Sequence, residues 1–260
     1  MTPATFDLTG RVALVTGAGS PTGIGFATAA LLGELGCAVA VCATTDRIDE
    51  RVAELIGSGV SASGHVGDLT DESDVTRIVA AATAQHGRVD IVVNNAGMVS
   101  VASAGEQGAL LDMELATWRA GMARNLDTAF LVTRAALPGM VERGWGRVVN
   151  VTSVTGPLMA MRDEPVYAAA KAAMVGLARS ITVDYAGRGV TANAVAPGWI
   201  ATGSQTAHEH AQGLRTPVGR SAEPVEVASA IAWLCTPGAA YVSGQCIVVD
   251  GGNSVSEERT

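Results

Sequence analysis

The chain has 260 residues, of which 48% are hydrophobic and 16% are charged, so it can bury a large core and is not of the disordered class. The formal net charge of −8 argues against a surface for nucleic acid or anionic membranes. We see no apolar run of about 18 residues, no secretory signal at the start, and no metal-ligand spacing among the four cysteines. These features predict a cytoplasmic protein with reduced cysteines, no metal site and no membrane contact.

Short apolar runs alternate with longer segments of helical spacing. Strands are predicted at residues 11–16, 37–43, up to 66, 89–94, 147–152, 190–195 and 246–249. Helices are predicted at residues 25–35, 46–56, 71–85, 112–137 (stopped near Pro138), 165–185 and 223–234. This alternation predicts a single α/β domain over residues 1–252, with a doubly wound parallel sheet of about seven strands and helices on both faces. Residues 253–260 are predicted to be a loose polar tail.

A glycine-rich turn follows the first predicted strand and opens the first predicted helix, reading TGAGSPTGIG over residues 16–25. Glycines at such a turn let backbone N–H groups approach a pyrophosphate, and the helix N-terminus favours its negative charge. Asp68 follows the third strand, and the run NNAG at residues 94–97 closes the fourth. The pattern favours a Rossmann-type dinucleotide site at this edge of the sheet, although these are also ordinary turn residues.

A second group of residues has the chemistry of proton transfer. Tyr167 and Lys171 are four residues apart on one predicted helix, so their side chains share a face. Tyrosine is a poor base at neutral pH, but a nearby ammonium favours the phenolate. Ser153 ends the fifth strand and could donate a hydrogen bond to a substrate oxygen. Taken singly, the tyrosine–lysine spacing also arises by chance, and a serine at a strand end is also a common turn residue.

The order of these motifs along the chain is more specific than any one of them. The glycine turn is followed by NNAG, Asn125, Ser153, the YxxxK pair, Pro197-Gly198 before Thr202, YVSGQ at residues 241–245 and VDGG at residues 249–252. This set resembles the short-chain dehydrogenase/reductase family, in its single-domain 3-oxoacyl-reductase-like branch, over nearly the whole chain. The resemblance implies an enzyme that transfers a hydride between NADP(H) and a ketone or secondary alcohol. It also implies a homotetramer.

The resemblance implies a role for each matching residue. Tyr167 would be the general acid or base, Lys171 would lower its pKa and hold the ribose, and Ser153 would polarise the carbonyl. Asn125 would hold a water that links Lys171 to solvent. Besides Tyr167 and Lys171, the implied cofactor contacts are Gly17, Ser20, Thr22, Gly23, Ile24, Gly25, Thr44, Thr45, Arg47, Asp68, Leu69, Asn95, Ala96, Gly97, Pro197, Gly198, Ile200 and Thr202. The chain departs from the family in two places, since the glycine turn is two residues longer and the segment between Ser153 and Tyr167 is one residue longer.

The residues after the second strand bear on the choice of cofactor. NAD-selective sites place an acidic side chain at this strand end to bind the ribose 2′-hydroxyl, whereas the aligned residue here is Ala43. Thr44 and Thr45 can donate hydrogen bonds to a 2′-phosphate, and Arg47 can pair with it. The sequence therefore predicts a preference for NADP(H) over NAD(H), unless Asp46 turns inward and reverses it.

Met159, Met161 and Trp199 are predicted to line the substrate pocket as apolar walls. Asp163 and Glu164 are predicted at its mouth, where they would attract a cationic amino ketone or amino alcohol. The alternative for this acidic pair is a structural one, since acids at a helix N-terminus favour the dipole and cap free N–H groups.

Two other functions stay open. Residues 214–227 resemble 3-oxoacyl-[acyl-carrier-protein] reductases of fatty-acid synthesis, which need a basic docking patch for an acidic carrier, with Arg124, Arg134 and Arg179 as candidates. A dinucleotide-binding sensor without activity is the non-enzymatic alternative, and the complete set of Asn125, Ser153, Tyr167 and Lys171 argues against it. A metal site is not predicted, because His208 and His210 lack a third ligand.

Overall fold

The computed structural model describes residues 2–97 and 107–257. Seven parallel strands form one sheet: β1 (Val12–Thr16), β2 (Ala38–Ala43), β3 (Ala62–Val66), β4 (Ile91–Asn94), β5 (Gly146–Val151), β6 (Val190–Pro197) and β7 (Cys246–Val249). Their order across the sheet is β3-β2-β1-β4-β5-β6-β7, which confirms the predicted doubly wound parallel sheet. The order reverses between β1 and β4, so a crevice opens at the carboxyl ends of these two strands, where open α/β sheets bind their ligands.

Helices cover both faces of the sheet. In the described residues they are α1 (Ile24–Glu34), α2 (Ile48–Gly57), α3 (Glu72–His86), α4 (Leu115–Met122), α5 (Thr128–Glu142), α6 (Pro165–Tyr185), α7 (Ala207–Gly213) and α8 (Pro224–Cys235). Buried residues of α1, α2 and α8 pack on one face with Ala13 and Val15 of β1. Buried residues of α3, α5 and α6 pack on the other face with Leu14. Successive side chains of one strand are thus buried on opposite faces of the sheet, which explains why the strands are continuously apolar.

The predicted helix over residues 112–137 is wrong at both ends. A 3-10 turn occupies Leu110–Asp112, α4 starts at Leu115, and a π-helical turn over Ala123–Asp127 leads into α5. Pro138 lies inside α5, which continues to Glu142. An internal proline costs about 3 kcal/mol because it removes a backbone hydrogen bond. The fully or nearly buried side chains of Ala136 and Met140, on either side of Pro138, offset that cost.

Two segments near the chain's end also differ from prediction. Helix α7 is absent from the predicted elements, although Thr206 and Glu209 form a capping box that marks its start. Asn253, the first residue of the predicted loose tail, is only 6% exposed. It belongs to a turn in which Asn253 N donates to Asp250 O (3.1 Å), so the ordered chain extends beyond the predicted boundary. Residues 258–260 of that tail lie outside the described residues.

Helix α6 packs on the second face against β5 and β6. By length and composition the segment Pro165–Arg188, with a mean hydropathy of 1.2, could cross a membrane. In the fold, the buried side of this helix carries apolar side chains, namely Val166, Ala170, Met174 and Ala178. This packing explains its apolar character and fixes the position of Tyr167 and Lys171.

Candidate active site

The glycine turn and the NNAG segment are held together at the crevice between β1 and β4. Thr16 Oγ1 accepts hydrogen bonds from the backbone N–H groups of Asn95 and Ala96, both at 2.9 Å. Asn95 Nδ2 donates to the carbonyls of Thr16 (2.9 Å) and Gly17 (3.1 Å). The predicted cofactor contact Asn95 therefore also braces the turn that would receive the pyrophosphate.

Two glycines in this region leave no space for a side chain. Gly17 has φ +67°, and a Cβ there would lie 2.9 Å from the Ala96 Cα. A Cβ on Gly25 would lie 2.5 Å from Asn95 Nδ2. Gly97, with φ +116°, also packs closely, since a Cβ there would lie 3.1 Å from the Asn125 Cα. These glycines thus let the turn, the NNAG segment and the start of α1 pack closely together, as the glycine-rich turn of a dinucleotide site does.

The two extra residues of the glycine turn have a defined contact. Gly23 N donates to Ser20 O (3.2 Å), which closes a tight turn before Ile24 begins α1. Thr22 Oγ1 accepts from Gly203 N (2.9 Å), so the longer turn reaches the segment after β6. That segment carries the predicted contacts Ile200 and Thr202, and the insertion therefore connects the two ends of the predicted cofactor site.

A positively charged side chain, that of Arg47, follows β2 and lies beside the glycine turn. Thr44, Thr45, Asp46 and Arg47 are all exposed after the buried Ala43. A Cβ on Gly19 would lie 2.6 Å from Arg47 Nε and 3.0 Å from the Ala43 Cβ, so the Arg47 side chain crosses this turn. Within the described residues, Arg47 has no carboxylate at ion-pair distance, and its charge is open to an anionic ligand.

Asp68 and Leu69 follow β3 at the same edge of the sheet. Asp68 Oδ1 accepts from Thr70 N (2.9 Å) and Thr70 Oγ1 (2.8 Å), which fixes its carboxylate at the surface. Leu69 is buried beneath it, 6% exposed. The carboxylate is thereby held in one orientation beside the crevice.

The predicted catalytic hydroxyls meet at the carboxyl end of β5. Ser153 Oγ accepts from Thr155 N (3.1 Å), and it shares a hydrogen bond with the Tyr167 hydroxyl. Burial raises the pKa of Tyr167 to about 12, the Ser153 hydrogen bond opposes this, and the carboxylates of Glu164 and Glu209 raise it further. Tyr167 therefore keeps its proton through the neutral pH range.

Lys171 lies one helical turn beyond Tyr167 and is 2% exposed. Its Nζ donates to Val151 O (3.1 Å) and lies 5.6 Å from the centroid of the Tyr167 ring. Burial lowers the pKa of Lys171 to about 8. The raised pKa of Tyr167 runs opposite to the effect of Lys171 that the resemblance implies, because here the ammonium bonds to the backbone and burial dominates at the phenol.

Asn125 lies in the π-helical turn between α4 and α5, and such turns are frequent at functional sites. Its Nδ2 donates to Gly121 O (3.1 Å). Its Oδ1 is buried and has no hydrogen-bond partner among the described residues. A buried acceptor without a partner is unfavourable unless a ligand or water satisfies it, so Asn125 has the free acceptor that a relay would need.

A chain of buried polar groups positions α6 and was missed by the sequence analysis. Asn94 Nδ2 donates to Asn150 Oδ1 (2.9 Å), and Asn150 Nδ2 donates to Met174 O of α6 (3.0 Å). Thr152 Oγ1 donates to Lys171 O (2.6 Å). The available signal was the presence of polar residues inside otherwise apolar strands, because a buried amide must find partners.

The loops after β5 and β6 form the other side of the site. Val154 N donates to Pro197 O (2.9 Å), which ties the Ser153 loop to the Pro197-Gly198 turn. The predicted pocket residue Met159 folds back so that its N–H donates to Val154 O (2.9 Å). Trp199 is half-buried after β6, and its Nε1 is buried without a partner among the described residues.

The acidic pair before α6 has two different surroundings. Asp163 is exposed with φ +62°, whereas Glu164 is 8% exposed and accepts a hydrogen bond from Gln107 Nε2 (2.7 Å). Both border a surface cavity of about 430 Å³ together with Leu110 and Met161. Glu164 makes no side-chain cap to α6, so the capping explanation of this residue is wrong. In the described part of the chain, no three His, Cys, Asp or Glu side chains could jointly hold a metal ion.

Known proteins match this chain over nearly its full length. A family model described as "Enoyl-(Acyl carrier protein) reductase" matches residues 17–254. The 3-oxoacyl-[acyl-carrier-protein] reductase of Vibrio cholerae is 38% identical over 250 residues, covering 95% of this chain and 98% of that protein. The cis-4-hydroxycyclohexanecarboxylate dehydrogenase of Sinomonas cyclohexanicum is 38% identical over 246 residues, covering 93% and 96%.

Solved structures agree with these relatives. A protein from Agrobacterium tumefaciens assigned as a gluconate dehydrogenase superposes with a TM-score of 0.90 at 32% identity, covering 98% of this chain and 100% of that one. A protein from Beutenbergia cavernae with bound NADP, assigned as an NAD(P)-dependent gluconate 5-dehydrogenase, gives a TM-score of 0.88 at 36% identity, covering 97% and 100%. The chain belongs to the short-chain dehydrogenase/reductase family and is an oxidoreductase that acts on CH–OH and C=O groups.

Proposed function

We propose that the protein interconverts a ketone and a secondary alcohol with NADP(H), using Tyr167 as general acid and base. The observation that carries this is the hydrogen-bonded pair of Ser153 and Tyr167, placed beside the glycine turn with Lys171 one helical turn away. Positioned proton donors next to a dinucleotide site are what carbonyl reduction needs from a protein.

The residues present fit a nicotinamide dinucleotide phosphate. The glycine turn leads directly into α1, whose free backbone N–H groups and positive dipole end favour a pyrophosphate. Arg47 supports a preference for NADP(H) over NAD(H), because its charge crosses the turn and is not neutralised by a described carboxylate. Thr44 and Thr45 stand exposed beside it as further donors.

When bound, the reduced cofactor supplies the hydride, and the chain's own residues handle position and protons. Ser153 would donate to the carbonyl oxygen, while Tyr167 delivers its proton to that oxygen as negative charge develops. The pKa of Tyr167, about 12, keeps the phenol protonated at neutral pH, so the site is ready for reduction. In the reverse direction, Lys171 and a water on Asn125 Oδ1 would return the proton to solvent.

The substrate is proposed to be a small ketone or alcohol lying between Met159, Trp199 and the Asp163–Glu164 segment. An amino ketone is less well supported than a neutral substrate, because Glu164 already accepts a hydrogen bond from Gln107. The alternative of a 3-oxoacyl-[acyl-carrier-protein] reductase is favoured by the 38% identity to the Vibrio cholerae enzyme. Against it, Arg134 of the candidate docking patch is already paired with Glu72.

We also propose a homotetramer in the cytoplasm. The exposed apolar side chains of Phe130 on α5 and Val248 on the edge strand β7 are surfaces that further copies of the chain would cover. All four cysteines are free, which suits a reducing compartment.

The proposed function is tested by turnover of small ketones with NADPH, with Tyr167→Phe as the diagnostic variant. We expect the variant to lose about 100-fold or more in kcat, since the phenol is the proton donor, while NADPH binding stays within a few-fold. A variant that keeps a tenth of the wild-type kcat would exclude Tyr167 as the acid.

A further inference from the structure

The C-terminal turn, residues 250–254, is a rigid element next to the proposed active site. Asp250 accepts hydrogen bonds with both carboxylate oxygens, Oδ1 from Gly252 N (2.9 Å) and Oδ2 from Ser254 N (2.6 Å). Gly251 and Gly252 both have positive φ, which the tight turn requires. The backbone around Asn253 is therefore fixed by its neighbours and does not depend on the Asn253 side chain.

This turn contacts the loops that border the site. Gly198 N donates to Val249 O (3.0 Å) just before the turn, and Val218 N donates to Gly251 O (3.2 Å) within it. Asn253 Nδ2 reaches Met159 Sδ at 3.7 Å. Met159 in turn folds back on Val154, the residue after Ser153. The C-terminal turn thus lies one residue layer away from the hydroxyl pair that would hold the reacting carbonyl.

The side chain of Asn253 is buried, and its amide N–H has only a weak hydrogen-bond acceptor. It is 6% exposed, and the partner of its amide N–H is a thioether, which is a weak acceptor. A buried amide normally finds oxygen partners, because an unmade hydrogen bond costs more than a made one gains. Trp199 Nε1, in the loop after β6, is likewise buried without a partner among the described residues. Both groups are neutral donors, and they would favour an oxygen acceptor over an apolar group.

We propose that Asn253 is a specificity-determining residue that binds an oxygen substituent of the substrate at the end remote from the carbonyl. The substrate class is then an oxygenated ketone, such as a hydroxyketone. This inference rests on the proposed function, since it places a second contact on the ketone held by Ser153 and Tyr167. Asn253 contributes no proton and leaves the chemistry at the carbonyl unchanged.

The test compares two ketones of the same length, 5-hydroxypentan-2-one and hexan-2-one, which differ by a hydroxyl in place of a methyl. We expect the wild-type protein with NADPH to have the higher kcat/KM for the hydroxyketone. In Asn253→Ala the ratio of the two kcat/KM values should fall about three- to ten-fold, the value of one neutral hydrogen bond. Val255→Ala is the matched control. Val255 lies two residues after Asn253 and its side chain is 84% exposed, so this substitution should leave the ratio unchanged.

A second variant guards against loss of packing. Asn253→Leu keeps the approximate shape of the side chain but removes both the donor and the acceptor of the amide, so the ratio should fall while NADPH binding stays within about two-fold of wild type. The inference is overturned if the protein reduces both ketones but prefers hexan-2-one, or if Asn253→Leu keeps the wild-type ratio. A wild-type protein that reduces neither ketone, nor any other ketone tried, overturns the proposed function and this inference with it.

Discussion

Replacing Gly17 by alanine should damage both folding and cofactor binding, because two separate costs meet at this residue. Gly17 has φ +67°, a left-handed conformation that costs a non-glycine residue about 1–2 kcal/mol. The added Cβ would also lie 2.9 Å from the Ala96 Cα, well inside the optimum of about 3.5–4.0 Å between carbon atoms. Since the neighbour is backbone, relieving this contact must move the turn, at a further cost of about 1–3 kcal/mol.

Gly59→Ala separates the two costs. Gly59 has a similar φ of +85°, but a Cβ there would meet nothing within 4 Å. Urea unfolding should therefore show a loss of about 1–2 kcal/mol for Gly59→Ala and about 2–5 kcal/mol for Gly17→Ala. In titrations, Gly59→Ala should bind NADPH like wild type, whereas Gly17→Ala should bind about ten-fold or more weakly because the turn has moved. Equal losses of stability, together with unchanged NADPH binding by Gly17→Ala, would refute the close-approach argument.

Two further predictions concern charge. Arg47→Gln should lower the ratio of kcat/KM for NADPH over NADH by about ten-fold or more. Arg220→Gln, which loses a surface pair with Glu226 and a bond to Ser221 O, should not change that ratio. His65 and His86 share Ser63 Oγ at 3.0 and 2.8 Å, and burial lowers the pKa of both. The unfolded chain therefore takes up protons first as pH falls below about 6.5, so the Tm should fall between about pH 7 and pH 5, and less so in a His65→Gln/His86→Gln variant. Parallel Tm curves for the two proteins would show that the pair does not titrate on unfolding.

The doubly wound parallel sheet was predictable because it depends on local patterns. Runs such as residues 89–94 are apolar on both faces, and the turns that follow them carry the polar groups of the site. The continuation of α5 through Pro138 was not predictable, because it depends on the burial of Ala136 and Met140 against residues far away in the chain. Local propensity alone ends the helix there.

The surroundings of individual side chains could not be predicted from the sequence either. Asp163 and Glu164 are adjacent acids with the same predicted role, yet one is exposed and the other accepts a bond from Gln107, 57 residues away. Asn253 was assigned to a loose tail because its neighbours are polar, whereas Asp250 folds that segment back onto the site. Burial and hydrogen-bond partners are set by tertiary contacts, so the spacing that located Tyr167 and Lys171 could not give their pKa values.

The buried ammonium of Lys171 should lower the free energy of unfolding of the protein. The lowering of its pKa from 10.5 to about 8 by burial corresponds to about 3 kcal/mol by which the folded state disfavours the ammonium. Above about pH 10.5 the lysine is neutral in both the folded and the unfolded state, and below about pH 8 it is charged in both. The loss of folding stability therefore grows as pH falls from about 10.5 to about 8, and it is complete at neutral pH. Lys171→Met removes the charge and keeps an unbranched side chain, so it should abolish turnover yet raise the free energy of unfolding at pH 7 by about 1–3 kcal/mol, the lower value allowing for the lost bond to Val151 O. The difference between variant and wild type should shrink as pH rises from about 8 to 10.5, and since both proteins contain Tyr167, its own titration cancels in that difference. A variant that is less stable than wild type at pH 7, with a difference that does not change with pH, would show that the folded protein does not disfavour the Lys171 ammonium.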